Sequence, residues 1–134
     1  KFETGEGVIN EDITKWQTDQ RFALILSLST FEHIGFDDDN EGQSAGKILS
    51  AIAACRALLQ PAGRLVITVP LGYNPHLDQL IEKDDLGQDR ASFLLRSSAR
   101  EWSEVARHQA VGTPFGHPWP YANALMVAEF TASS

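Results

Sequence analysis

The chain has 134 residues, 43% of them hydrophobic and 22% charged, with a formal net charge of −7. That is enough for one domain with its own core. The acidic balance argues against a nucleic-acid or anionic-membrane surface, which needs clustered Lys and Arg. The single cysteine, Cys55, excludes an internal disulfide and a cysteine-rich zinc site, and fits a reducing cytoplasm.

In chain order, Lys1 to Gly7 is polar and carries no helix-start signal, nor does the N-terminus have the pattern of a signal peptide. Val8-Ile9 reads as the end of a short strand, followed by a loop at Asn10-Glu11-Asp12. Ile13 to Arg21 is a connection around Trp16. Phe22 to Leu26 is an apolar run without alternation, as a strand covered on both faces would read. It passes into Ser27, Ser29 and Thr30 and ends on Glu32-His33. In open α/β sheets ligands sit outside the carboxyl ends of parallel strands, which makes the end of this strand the candidate site. The following run Asp37-Asp38-Asp39-Asn40-Glu41 lacks the spacing and glycine of a calcium loop and reads as a solvated acidic turn, with no metal.

Ser44 is placed to cap a helix reaching about Gln60. Ile48, Ile52, Cys55 and Leu59 recur at helical spacing, and Leu49, Ala53 and Leu58 widen the stripe. Pro61-Ala62-Gly63 is expected to stop this helix. Arg64 to Val69 is a second apolar strand closed by Pro70, so strand, helix and strand form a βαβ unit with parallel strands. Leu24, Leu26, Ile48, Ile52, Leu59, Val66 and Ile67 form the expected core. Further on come a short helix from His76 to Glu82, a strand from Ala91 to Arg96, and a segment Trp102–His108 that suits either a short helix or an edge strand. A proline-rich ordered loop spans Thr113–Tyr121, and a last strand spans Ala122–Phe130. Without repeats or a low-complexity linker, residues 1–134 read as one domain. No apolar run approaches the length of a membrane span.

FALILSLSTFEHIGFDDD, followed by KILSAIAACRALLQPAGRLVITVPLGYNPHLDQLI, resembles the middle and C-terminal portions of class I S-adenosylmethionine-dependent methyltransferases. The matching features are a strand ending in STFEH, and a helix ending in LLQPAGRL before the next strand, running into PLGYNPHLD. The resemblance extends from about Val8 to Phe130. It implies an α/β, Rossmann-like fold with a mainly parallel sheet and an antiparallel C-terminal strand. Three departures stand out. The family's Phe-Asp strand opening is Phe22-Ala23 here, and its Pro-Gly-Gly is Pro61-Ala62-Gly63. The third is the glycine-rich loop after the first strand, together with the ribose-binding acid after the second. Neither is found in this sequence, where Gly5 and Gly7 do not follow a buried strand. The chain thus reads as a partial domain truncated at its N-terminus.

The resemblance implies a role for each candidate residue. Asp12 would accept the adenine amino group's hydrogen bond, with Ile13 packed on the adenine face; the alternative for Asp12 is a cap on the following turn. Ser27, Leu28 and Ser29 would border cofactor and substrate, or be ordinary strand-end residues. His33, with Glu32, would take a proton from an acceptor hydroxyl, or be a structural histidine. Tyr73, Asn74, His76 and Asp78 are equally eligible to touch substrate. His117 reads as a loop histidine, Trp119 and Tyr121 as packing over a sheet edge, and Cys55 as a small hydrophobe.

The function implied is methyl transfer from S-adenosylmethionine to a small-molecule acceptor, in a cytoplasmic protein with no nucleic-acid or membrane partner. This chain alone is expected to be weak or inactive. The alternatives are a non-catalytic module that keeps the fold, and a nucleotide-binding domain of oxidoreductase type, which would need a G-x-G-x-x-G after a strand. With its first two strands missing, the sheet is expected either to pair Phe22–Ser29 with Val8-Ile9 or to form a homodimer along that edge.

Overall fold

The computed structural model describes residues 4–36 and 44–133. Five strands and three helices follow in order: β1 (Phe22–Leu28), α1 (Ser44–Ala57), β2 (Leu59–Pro70), α2 (Pro75–Glu82), β3 (Arg90–Ser98), β4 (Glu101–Val105), α3 (Arg107–Ala110) and β5 (Ala124–Thr131), with a 3-10 turn at Phe31–His33 between β1 and α1. The strands form one sheet in the order β1-β2-β5-β3-β4.

Only β1 and β2 are parallel neighbours; β2–β5, β5–β3 and β3–β4 are antiparallel. The expectation of a mainly parallel sheet is therefore corrected to a mixed sheet with mostly antiparallel pairing. The cause is the position of β5, which inserts between β2 and β3 and runs against both. β3 then folds straight back into β4, across only Ala99 and Arg100. The segment Trp102–His108 supplies both of its alternatives, the end strand β4 and the first residues of α3.

Register decides which side chains are inside. Leu65, Ile67 and Val69 of β2 stand opposite Phe130, Ala128 and Met126 of β5, and all six are fully buried. Ile48, Ala51, Ile52 and Cys55 of α1 close over them at helical spacing, and Leu77 and Ile81 of α2 extend the same core. Leu49 and Ala53, expected to widen the α1 stripe, face outward instead.

The opposite face of the sheet carries Leu24, Leu26 and Leu28, paired with Arg64, Val66 and Thr68. Leu24 and Leu26, expected in the core, are 57% and 56% exposed, and Val66 is only half-buried. An uninterrupted apolar run suggested cover on both faces. β1 lies at the end of the sheet, however, and only its Ile25 side packs against the core. Val8 and Ile9 form no strand; Val8 closes a turn onto the Gly5 carbonyl, and both are exposed. The expected pairing of Phe22–Ser29 with Val8-Ile9 does not form.

The stop signal Pro61-Ala62-Gly63 acts within β2, not at the end of a helix. α1 ends at Ala57 because Leu58 and Leu59 are both buried, and because the Leu58 carbonyl accepts the Phe22 N–H at 2.8 Å. The ladder then jumps from Phe22–Leu59 to Leu24–Arg64, leaving Pro61-Ala62-Gly63 in a bulge. A Cβ on Gly63 would lie 2.8 Å from the Phe22 carbonyl oxygen, so only glycine fits there. Ala62 holds a left-handed φ of 65°, which glycine adopts without the steric penalty of a Cβ.

Two stability outcomes follow. Ala62→Gly should stabilise the fold by about 0.5–1 kcal/mol, read as a higher urea midpoint at unchanged slope. Ile52→Ala should cost about 2–5 kcal/mol and Leu26→Ala less than about 1 kcal/mol. Equal losses for the two in urea titrations would mean that β1 is covered on both faces after all.

Candidate functional site

A wide cleft of about 1070 Å³ opens beyond the carboxyl end of β1. Three segments line it: Asp12 to Lys15 from the N-terminal loop, Thr30 with His33 to Gly35 after β1, and Gly46, Lys47, Ser50 and Ala51 from α1.

The Asp12 loop is shaped by its own side chain. Asp12 Oδ1 accepts the Thr14 N–H at 2.9 Å and the Thr14 hydroxyl at 2.7 Å, while the Asp12 carbonyl accepts the N–H groups of Lys15 and Trp16. This is the turn-capping role that sequence offered as the alternative. The hydrogen bonds from the Thr14 side chain and amide, with smaller help from Lys15 and Lys47, hold its carboxyl below the usual carboxylate range. The same residue still lines the cleft, and Ile13 beside it is half-buried.

On the facing side, the 3-10 turn buries Glu32 and leaves His33 half-exposed at the cleft wall, with Glu32 Oε1 3.6 Å from His33 Nε2. That separation is longer than a hydrogen bond. The His33 ring meets the Tyr73 ring edge-on at 4.9 Å, and Tyr73 also contacts Phe36 at 5.5 Å and Phe115 at 5.1 Å. Behind them Asn74 is fully buried: its Nδ2 donates to the Glu32 carbonyl at 3.0 Å, and its Oδ1 caps α2 through the N–H groups of His76 and Leu77. The loop before α2 thus positions the Glu32-His33 turn from behind. An asparagine before a proline at a helix start was the sequence signal for that cap.

Not every sequence-nominated residue reaches this place. Ser27, Leu28 and Ser29 are not among the lining residues. Ser27 points to the helix side of the sheet, Leu28 to the bare side, and Ser29 is turned back by bonds from its N–H to the carbonyl and hydroxyl oxygens of Thr68. Strand alternation separates the three, so no single face presents them together. Of the four residues before and in α2, Asn74 is spent on positioning. Asp78 ties down Gly72, whose N–H its carboxylate accepts at 3.0 and 3.1 Å. Lys15, Lys47 and Ser50 also line the cleft. His117 is exposed. Trp119 stacks 5.6 Å from Arg96, which Trp102 covers at 5.7 Å, whereas Tyr121 stands 78% exposed instead of packing on an edge. Cys55 is buried in the core, where burial pushes its thiol up. The acidic run Asp37–Asp39 with Glu41 lies outside the described residues, among which no group of three or more His, Cys, Asp or Glu is placed to hold a metal.

Compared with known protein families and with curated proteins, the chain matches none. Among the described residues no helix is long and apolar enough to cross a membrane.

Asn74→Ala removes both the cap and the bond to the Glu32 carbonyl, and should cost about 2–4 kcal/mol in thermal or urea unfolding. Asp78 gives a pH-dependent counterpart. Burial is the main force raising its carboxyl above 3.8, with Glu82 adding and the Gly72 amide opposing. The folded state therefore binds the Asp78 proton more tightly than the unfolded state, and stability from this group falls as pH rises through the raised value. Asp78→Asn, which keeps an acceptor for Gly72, should gain on the wild type as pH climbs from below 3.8 toward neutral. Stability curves of the two proteins that run parallel across that range would remove Asp78 as the cause.

Proposed function

We propose that the chain is part of an S-adenosylmethionine-dependent methyltransferase domain, with the β1-end cleft as the adenine side of its cofactor site and its acceptor a small molecule. One observation carries this reading. Asp12 and Ile13, the residues that the resemblance assigns to the adenine, share one cleft with Thr30 and with His33 of the STFEH segment, although β1 separates them in sequence. The parallel pair β1–β2, joined through α1, supports it as the βαβ frame on which such clefts form.

The residues present fit the cofactor only in part. Among the described residues Asp12 Oδ2 takes no hydrogen bond, which leaves it open to an adenine amino group, and Ile13 offers an apolar surface. Among the described residues no glycine-rich loop follows a buried strand; Gly5 and Gly7 sit in an exposed turn. The grip on ribose and methionine that such a loop and acid supply is therefore missing from this chain, and no methyl-transfer step is derived for it. His33, half-exposed and backed by Glu32, is positioned to receive a proton from an acceptor hydroxyl at the cleft wall. A cytoplasmic location belongs to the same reading. The bare leucines of β1 favour a second one, a non-catalytic interaction module.

Each lost charged or paired hydrogen bond is worth roughly 1.5–3 kcal/mol, so losing several turns a micromolar ligand into a roughly millimolar one. Titration of the labelled chain with S-adenosylhomocysteine, followed by NMR, should give millimolar binding with shifts confined to residues 12–15, 30–35 and 46–51, abolished by Asp12→Ala. No methyl transfer should be detectable. Low-micromolar binding would overturn the partial-site reading, and shifts scattered away from the cleft would overturn the assignment itself.

A further inference from the structure

Two adjacent residues before α2 act on the two adjacent residues of the Glu32-His33 turn. Asn74 holds the backbone through the Glu32 carbonyl, while Tyr73 meets the half-exposed His33 ring itself, edge-on at 4.9 Å. Two more rings contact Tyr73: Phe36 at 5.5 Å and Phe115 at 5.1 Å. Phe115 comes from a distant part of the chain, and its loop is fixed to the sheet. Arg96 of β3 donates to the Pro120 and Ala122 carbonyls, and buried Asn123 bonds to the backbone of Trp119 and Tyr121. The same loop meets the residue before Tyr73 backbone to backbone. A Cβ on Gly72 would lie 2.6 Å from both the Thr113 oxygen and the Phe115 nitrogen, so the spacing between the two segments is set by their main chains.

We propose that Tyr73 is a positioning residue for His33, held in place by Phe115, so that the 113–123 loop sets the direction in which the imidazole faces the cleft. A proton acceptor works only when its nitrogen lies within hydrogen-bond reach of the hydroxyl it serves. A half-exposed imidazole without a neighbour samples several staggered rotamers. An edge-on ring pair favours one of them by roughly two- to tenfold, and a partner ring that is itself packed preserves that preference. The role belongs to the ring of Tyr73 and not to its hydroxyl. This inference rests on reading His33 as the proton acceptor, but its test needs neither cofactor nor acceptor. Its outcome is therefore separate from that of the S-adenosylhomocysteine titration.

The measurement is NMR of the labelled chain, using three-bond couplings from the backbone nitrogen and carbonyl carbon to His33 Cγ, which report its χ1 rotamer. The wild type should show one dominant rotamer, with cross-relaxation between the His33 and Tyr73 rings. Tyr73→Phe, which keeps the ring, should retain both signatures. Tyr73→Leu and Phe115→Ala should each lower the excess of that rotamer by roughly two- to tenfold, with the amide shifts of α1 and β2 retained. Tyr121→Ala, in the same loop but at a side chain 78% exposed, should leave His33 unchanged. An averaged His33 rotamer in the wild type would overturn the proposal without any variant. So would an undiminished rotamer excess in either Tyr73→Leu or Phe115→Ala.

Discussion

The pairing of β2 with β5 is the contact that everything else in this molecule leans on. Leu65–Phe130, Ile67–Ala128 and Val69–Met126 form three successive buried rows, and α1 and α2 lie over that same face. Burial of this kind stabilises by roughly 25 cal/mol per Å² of apolar surface, and here it is concentrated on one side of the sheet. The other side holds half-buried Val66, Thr68, Val127 and Glu129 and the bare leucines of β1. The domain is therefore two layers deep, and the unequal faces explain both its secure core and its open flank.

The candidate site is a consequence of that frame. β1 ends where β2 still continues, and Ser29, held by Thr68, turns the chain into the Phe31–His33 segment. Phe31 and Glu32 go inward, His33 goes to the cleft wall, and Asn74 fixes the turn from the far side through the Glu32 carbonyl. A histidine held this way has a defined orientation, which proton transfer needs more than it needs flexibility. The Asp12 side is held differently, by a self-closed turn on an exposed loop. Both walls reach the core, the His33 wall through Phe31 and Asn74 and the Asp12 wall through Ile13.

Three arginines of this acidic chain are committed to architecture. Arg56 donates to the Thr131 carbonyl; Arg107 donates to the Ile81 carbonyl and to Asp84 and lies over Phe93. Arg96 is held between Trp102 and Trp119 while donating to the carbonyls of Pro120 and Ala122. Guanidinium groups suit this work because one planar fork can serve several carbonyls and stack on rings at once. Used in this way, they bind the 113–123 loop and the β3–β4 hairpin to the body of the sheet instead of forming a basic surface.

Local pattern was enough for the elements whose identity depends on near neighbours in sequence. The α1 stripe of Ile48, Ile52 and Cys55, the β-branched run of β2, the short helix α2 and the closing strand β5 were all legible, because helical and strand periods are written in consecutive residues. Asp12 and His33 were legible as chemistry, yet only the folded chain shows that they share a cleft. Which strand neighbours which was not readable: nothing in Ala124–Thr131 says that it inserts between β2 and β3 and turns a parallel-looking sheet mostly antiparallel. The same holds for FALILSL. Its apolar run establishes a strand, but whether one face or two are covered depends on what packs there, and sequence period cannot supply that. Pro61-Ala62-Gly63 shows the limit most plainly, since a breaker marks where regular structure bends, while burial of Leu58 and Leu59 decided that it would bend a strand and not end a helix.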